Sequence, residues 1–182
     1  MTNVLVPLAP GYEELEAVTI IDLLRRAGIQ VVTAGLDDGP VRGSRGTVLI
    51  PDTTLDHALQ QEFDMVALPG GQPGSNNLNA DPRIHTLLKH MADKDKYTAA
   101  ICAAPLVLAN AGLLHGKQAT SFPGVLSKMN LQGVELKTDA VVQDGKVITS
   151  RGPGTAMDFA LMLIEVLAGK TKRGEVEAGL VR

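Results

Sequence analysis

The only cysteine of the chain, Cys102, has the neighbours of a nucleophile. It lies between Ala99-Ala-Ile101 and Ala103-Ala-Pro105, where a predicted strand passes into a predicted helix. Small neighbours permit a tight turn that raises a nucleophile above the sheet, as in a nucleophile elbow. Unpaired N–H groups and the positive end of the helix dipole would lower the pKa of the thiol. The alternative is a small, inert core residue.

Three glutamates, Glu13, Glu14 and Glu16, begin the first predicted helix at the same predicted edge of the sheet. One of them could act as a general acid or base, or could hydrogen-bond the thiol. A carboxyl group turned into an apolar site would have a raised pKa and could donate a proton. The alternative is that these acids only complement the helix dipole.

Gly70-Gly71 ends a predicted parallel strand beside this edge. Glycines let the backbone approach a ligand closely, and their N–H groups could hold an oxyanion. A plain turn from strand to loop is the alternative. The oxyanion role is favoured because the pair shares the predicted carboxyl edge of the sheet with Cys102.

Composition excludes several classes of protein. One cysteine cannot form an internal disulfide or a zinc finger, and a net charge of −3 with 3% aromatic residues argues against nucleic acid. The apolar stretch 97–114 is interrupted by Pro105, Asn110 and Gly112, so we expect no membrane span. The N-terminus has no basic region before its apolar run, which predicts a cytoplasmic protein. A length of 182 residues predicts one domain, 1–182.

Cofactor motifs are missing from the sequence. The four histidines fit no HExxH pattern, and there is neither a GxxxxGK[ST] loop nor a GxGxxG fingerprint. We therefore expect neither a nucleotide cofactor nor a catalytic metal.

The elements that must position these groups alternate between strands and helices. Apolar runs predict four buried strands and two short ones that form a hairpin around Asp144-Gly145 as an antiparallel edge. On the first helix, the expected core stripe consists of Leu15, Val18, Ile21 and Leu24, widened by Ile20 and Leu23. The fold class is therefore α/β, with a mostly parallel sheet and ligands at the carboxyl ends of its strands. The predicted strands are 3–8, 30–34, 65–68, 97–101, 141–143 and 147–149, with a brief one at 48–50, and the predicted helices are 13–27, 55–61, 82–91 and 155–168, with Gly169 as a stop.

Four blocks occur in order along nearly the whole chain. They are Ala9-Pro-Gly-Tyr-Glu-Glu-Leu-Glu16, Leu68-Pro-Gly-Gly71, Ala99-Ala-Ile-Cys-Ala-Ala-Pro105 and Thr149-Ser-Arg-Gly-Pro-Gly-Thr155. With these blocks the chain resembles the DJ-1/PfpI superfamily, within its DJ-1 branch and close to the bacterial YajL and ThiJ-type proteins.

The resemblance implies a flavodoxin-like three-layer sandwich, usually a homodimer, with Cys102 at the elbow. It implies that Glu16 hydrogen-bonds the cysteine and its oxidised forms, and that Gly71 and Ala103 supply the N–H groups of an oxyanion pocket. Arg45, in Gly43-Ser-Arg-Gly46, matches a family arginine that could favour bound anions.

Two departures from the family pattern matter. The protease-like branch has a histidine directly after the cysteine, whereas this chain has Ala103, which counts against peptidase activity. Many DJ-1 relatives carry a histidine where this chain has Phe122, so a Cys-Glu-His constellation is incomplete. The YajL-like subgroup has the same apolar replacement.

The resemblance leaves two functions open. One is a cofactor-independent glyoxalase III or deglycase, a lyase or hydrolase acting through Cys102 on methylglyoxal, glyoxal or their early adducts. The other is a non-enzymatic redox sensor or oxidative-stress chaperone that uses reversible oxidation of Cys102. Phe122 favours sensing slightly, whereas the complete pocket favours catalysis.

Overall fold

A computed structural model describes residues 2–182 as an alternation of strands and helices. The predicted domain, 1–182, includes Met1, which lies outside the described residues. In chain order the elements are β1 (Asn3–Leu8), α1 (Glu14–Arg26), β2 (Gln30–Gly35), β3 (Val41–Arg42), β4 (Val48–Leu49), β5 (Thr53–Thr54), α2 (Leu55–Ala58), β6 (Met65–Leu68), α3 (Gly74–Ala80), α4 (Pro82–Asp93), β7 (Tyr97–Ile101), α5 (Pro105–Asn110), β8 (Gln118–Ala119), β9 (Glu135–Leu136), β10 (Val141–Asp144), β11 (Val147–Ser150) and α6 (Ala156–Gly179).

The central sheet has seven strands in the order β10-β11-β7-β6-β1-β2-β5. All neighbouring pairs are parallel except β10 with β11. From β1 the chain first moves to β2 and β5, and later returns to β6, β7 and β11 on the other side. The strand order therefore reverses between β1 and β6, and such a reversal opens a crevice at the carboxyl ends of the strands.

Hydrophobic cores cover both faces of the sheet, as the flavodoxin-like α/β sandwich requires. Side chains from α1 and α6 pack together with β1 and β6 on one face. Those of α3, α4 and α5 pack on the other. Every residue of β6 is buried, which explains why this strand reads as an unbroken apolar run.

The hairpin prediction was right about the turn and partly wrong about direction. Strands β10 and β11 do flank Asp144-Gly145, but β11 pairs in parallel with β7, so only β10 is antiparallel to the rest of the sheet. Residues 74–80, expected to be loop, form α3. Gly169 adopts a φ of 87° and kinks α6, and the chain then resumes a helix to Gly179 instead of stopping.

The predicted core stripe of α1 was right for Ile20, Leu23 and Leu24 and wrong for Leu15 and Val18. Leu15 and Val18 are exposed, whereas Ala17, Ile20, Leu23 and Leu24 face the core. The apolar residues of α1 extend over more than one face of the helix, so helical spacing alone could not show which of them the core covers. The face that is buried also carries Glu16. No helix within residues 2–182 is long and apolar enough to cross a membrane.

Candidate active site

Cys102 occupies a strained turn directly after β7. Its φ is +64°, a conformation that is uncommon for a residue with a side chain. The backbone holds this turn on both sides: the Cys102 N–H donates to the Ser150 carbonyl at 2.9 Å, and the Phe122 N–H donates to the Cys102 carbonyl at 2.8 Å. Cys102 is 8% exposed. The turn thus has the strand-to-helix geometry of a nucleophile elbow.

Glu16 lies on the buried face of α1 and is 0% exposed. The Glu13 carboxylate caps the helix by accepting from the Glu16 N–H at 3.0 Å. The Oε2 atom of Glu16 accepts from the Gly70 N–H at 2.8 Å. Its Oε1 atom is buried and has no hydrogen-bond partner within residues 2–182. One carboxyl oxygen is therefore anchored to the backbone, and the other is free to exchange a proton.

Gly70 is the point at which the three segments meet. A Cβ atom built on it would lie 2.6 Å from Glu16 Oε2, 2.7 Å from the Cys102 Cβ and 2.8 Å from the Ile101 carbonyl oxygen. Only a residue without a side chain fits there without a shift of its neighbours. The sequence predicts an oxyanion role for Gly70, but its N–H is already engaged by Glu16. Its place in the site is to hold the carboxyl group beside the thiol.

Gly71 and Ala103 bring backbone N–H groups toward the sulfur, where both lower the pKa of Cys102. Gly71 has a φ of +93°, and a Cβ there would lie 2.4 Å from the Glu13 nitrogen. A residue with a side chain would therefore displace the backbone at this point. The two N–H groups could donate hydrogen bonds to a carbonyl oxygen that becomes negatively charged during attack.

Burial raises the pKa values of both the thiol and the carboxyl group, and the charge of Glu16 raises that of the thiol further. Burial, followed by the charge of the nearby Glu16, raises the pKa of Cys102 to about 12. The expected lowering by the helix terminus is therefore wrong, because Gly71 and Ala103 do not offset burial and the nearby carboxylate. Burial also raises the pKa of Glu16 to about 7, with a smaller contribution from the charge of Glu13.

Arg45 and Phe122 lie at the edges of this region. Arg45 is exposed, and its guanidinium forms no hydrogen bond or ion pair within the described chain, while its backbone N–H donates to Glu14 at 2.7 Å. Phe122 is 48% exposed, with its ring close to Gly152. The anion-binding role of Arg45 stays a prediction. The backbone contacts of Ser150 and Phe122 with Cys102 could not be predicted from the sequence, because any residue supplies such groups.

Metal-binding side chains are not grouped in the part of the chain that the structure describes: residues 2–182 hold no cluster of three or more His, Cys, Asp or Glu that could bind an ion. The site consists of a thiol, a buried carboxyl group and backbone amides. Such a set can perform nucleophilic attack and proton transfer.

Comparison with known proteins identifies a family model that matches residues 2–166, described as the DJ-1/PfpI family. The chain is 47% identical over 182 residues to protein dj-1beta of Drosophila melanogaster, covering 98% of this chain and 96% of the relative. The crystal structure of that DJ-1beta superposes with a TM-score of 0.95 at 46% identity, over 99% of this chain and 97% of the other.

Two further matches are relevant to the chemistry of the candidate site. The structure of oxidized Toxoplasma gondii DJ-1 matches with a TM-score of 0.95 at 38% identity, covering 100% of this chain and 98% of the other. The glutathione-independent glyoxalase DJR-1.2 of Caenorhabditis elegans is 39% identical over 160 residues, covering 88% of this chain and 85% of the relative. These matches support the DJ-1 branch, and the closeness to YajL and ThiJ-type proteins stays a prediction.

Proposed function

The chain belongs to the DJ-1/PfpI family, and from this premise we propose that it is a stress-response protein that acts through Cys102 on small reactive aldehydes, as a cofactor-independent glyoxalase or deglycase. The observation that carries the proposal is the buried meeting of Glu16, Cys102 and the Gly71 and Ala103 amides. The similarity to a glutathione-independent glyoxalase supports methylglyoxal and glyoxal as the substrate class.

Glu16 starts the reaction as a general base. It removes the thiol proton, and the sulfur lone pair forms a bond to the aldehyde carbon while the carbonyl electrons move to oxygen. A carboxylate with a pKa of about 7 is a stronger base than an ordinary glutamate, so this transfer is less costly. The oxyanion accepts hydrogen bonds from Gly71 and Ala103.

Glu16 then returns the thiol proton to the oxyanion, which gives a neutral hemithioacetal and leaves the carboxylate free to move a second proton. The carbon that carries sulfur loses its hydrogen as a proton, an enediol forms, and the neighbouring carbon is reprotonated to give a lactoyl thioester on Cys102. Water cleaves the thioester to lactate and restores the thiol. One carbon is oxidised and its neighbour is reduced, so the sequence of steps needs no external oxidant or reductant.

A methylglyoxal-to-lactate assay tests the enzyme proposal. We expect Cys102→Ser to abolish lactate formation, and Glu16→Gln to slow it by about a hundredfold or more, the usual contribution of a general base. Glu62→Gln is the control, since Glu62 is exposed and precedes β6 at the opposite edge of the sheet. Turnover by Cys102→Ser at the rate of the unchanged protein would refute the proposal.

A redox sensor or oxidative-stress chaperone is the second candidate, favoured by the apolar Phe122 in place of a histidine and by the similarity to a DJ-1 solved in an oxidized form. In this case Glu16 takes the thiol proton and the thiolate attacks hydrogen peroxide. The O–O bond breaks, one oxygen joins the sulfur, and the other receives the proton and leaves as water. Glu16 would hydrogen-bond the sulfenic or sulfinic acid.

Intact-protein mass measurement under limiting peroxide tests the second candidate. We expect oxygen to be added at Cys102 before any methionine, and Glu16→Gln to change the oxidation level that is reached. Random oxidation, or an unchanged level in Glu16→Gln, would exclude sensing.

A second copy of the chain is the partner that we propose. Val18 on α1 and the 81% exposed Ile50 line one shallow apolar groove, and Arg25 and Asp52 pair at its rim. An apolar patch whose rim carries both signs of charge can match itself across a two-fold axis. Light scattering should find a dimer that Val18→Asp dissociates, whereas Val181→Asp, at a 95% exposed valine, should leave it intact. A monomeric unchanged protein would refute this partner.

The remaining expectations complete the proposal. We propose a single domain over 1–182, a cytoplasmic location, and action without a cofactor, a nucleic acid or a membrane.

A further inference from the structure

Glu14 belongs to the same block as Glu16, but its carboxylate holds a loop instead of facing the thiol. Its Oε1 atom accepts from the backbone N–H groups of Arg45 at 2.7 Å and Thr47 at 3.2 Å. Its Oε2 atom accepts from the Ser44 hydroxyl at 3.1 Å. We call these four residues the Glu14 clip. A carboxylate that accepts three hydrogen bonds is far more constrained than an exposed helix-start acid.

The loop is shaped to receive this carboxylate. A Cβ atom built on Gly43 would lie 2.5 Å from both the Cδ and Oε1 atoms of Glu14. The loop backbone therefore touches the carboxyl group directly, and a side chain at position 43 would displace the Glu14 carboxylate.

The clipped loop is bonded in turn to residues 11–13, which connect β1 to α1. The Ser44 N–H donates to the Tyr12 carbonyl at 2.8 Å, and the Gly11 N–H donates to the Arg42 carbonyl at 2.8 Å. The fully buried ring of Tyr12 adds a hydroxyl bond to the Thr47 carbonyl at 3.4 Å. Movement of the loop would therefore move residues 11–13.

Residues 11–13 contact the Gly70-Gly71 peptide, whose amide lies beside the thiol. The Glu13 N–H donates to the Gly70 carbonyl at 2.9 Å, which fixes the plane of the Gly70-Gly71 peptide. A Cβ on Gly71 would lie 2.4 Å from the Glu13 nitrogen and 2.6 Å from the Gly11 carbonyl oxygen. The contacts run without a gap from the Glu14 clip to the peptide beside Cys102.

We propose that Glu14 is a positioning residue for the Cys102 site: through the clip and residues 11–13 it sets the orientation of the Gly70-Gly71 peptide. The inference rests on the proposed function only in taking Cys102 as the reacting group. Glu14 is not among the groups whose charge shifts the pKa of Cys102, so its effect runs through hydrogen bonds. Glutamine, which keeps an oxygen in place of Oε1, should preserve most of the clip.

The test compares Glu14→Ala with Glu14→Gln by hydrogen exchange and by turnover. In Glu14→Ala we expect the amides of residues 11–13 and 70–74 to exchange at least about tenfold faster, and kcat for methylglyoxal to fall about tenfold with little change in KM, since the aligned amide acts in the transition state. Glu14→Gln should restore both, and Glu62→Ala should change neither. Ser44→Ala, which removes one bond from the other side, should give a smaller change in the same direction and replaces Glu14→Ala should that variant not fold.

Several outcomes would overturn the inference. They are unchanged exchange at residues 70–74, a Glu14→Gln variant as impaired as Glu14→Ala, or faster exchange with unaltered kcat. If the unchanged protein forms no lactate, the proposed function fails, and the exchange comparison together with its rescue by glutamine still decides whether Glu14 positions the peptide.

Discussion

Replacing Glu16 by glutamine should make Cys102 react faster with iodoacetamide at alkaline pH, although the same change slows turnover about a hundredfold or more. Alkylation needs only a thiolate, whereas aldehyde conversion also needs a base. The Glu16 carboxylate raises the pKa of Cys102 by its charge, and both groups come within 2.7 Å of one position at Gly70. Glutamine removes that charge and keeps the size of the side chain.

The magnitude follows from the separation of the two charges. At about 5 Å, with an effective dielectric constant of about 20, the repulsion costs about 3 kcal/mol. Its removal raises the thiolate fraction roughly a hundredfold, because 1.36 kcal/mol is tenfold. A thiolate of lower pKa is also a weaker nucleophile, with a Brønsted slope near 0.4–0.5, so the net gain in rate is about tenfold.

The gain should depend on pH in a way that identifies Glu16. Glu16 has a pKa of about 7, so at about pH 5.5 it is mostly protonated and already resembles glutamine. The ratio of the two alkylation rates should therefore be near one in acid and rise through neutrality to a plateau. Stopped-flow alkylation from pH 5.5 to 9 measures it, with Glu62→Gln as the control. A ratio that is flat with pH, or slower alkylation of Glu16→Gln at pH 9, would refute the coupling.

Three further predictions concern stability. Folding raises the pKa of Glu16 from 4.5 to about 7, so protonated Glu16 stabilises the folded protein below pH 4.5 and this stabilisation is lost as pH rises through 7. Urea unfolding should show that the free energy of unfolding falls by about 3 kcal/mol over this range, and that Glu16→Gln lacks this fall. Parallel plots of unfolding free energy against pH for the two proteins would contradict the prediction. Gly70→Ala should lower the free energy of unfolding by about 1–3 kcal/mol through crowding, and an unchanged value would refute the packing. Gly169→Ala should destabilise by about 1 kcal/mol and Gly174→Ala should stabilise by about 0.5–1 kcal/mol, because both sites are open and only Gly169 has a positive φ; equal thermal shifts would contradict this.

The strands of the parallel sheet could be predicted closely from the sequence. Strands β1, β6 and β7 begin and end at the predicted residues, because strands covered on both faces read as unbroken apolar runs. Helix α3 was missed because Gly74-Ser-Asn-Asn77 has the composition of a loop, and the helix owes its stability to the buried Leu78.

The sequence predicted which residues form the candidate site but not their hydrogen bonds or pKa values. The blocks indicate that Cys102, Glu16 and Gly71 share one edge of the sheet. They do not reveal that Gly70 donates its N–H to Glu16, or that burial outweighs the helix terminus at Cys102. Both depend on the distances between segments that are far apart in the chain. The orientation of α1 could not be predicted for the same reason, because its apolar residues extend over more than one face of the helix.

The strained turn of Cys102 and its buried carboxyl neighbour exist only in the folded chain, because residues 16, 70 and 102 meet only there. In an unfolded chain the thiol returns to an ordinary pKa of about 8.5 and is open to solvent. At neutral pH a short pulse of alkylating reagent would therefore label opened molecules first. The extent of alkylation at this single cysteine therefore reports the unfolded fraction of the protein, without an added probe site.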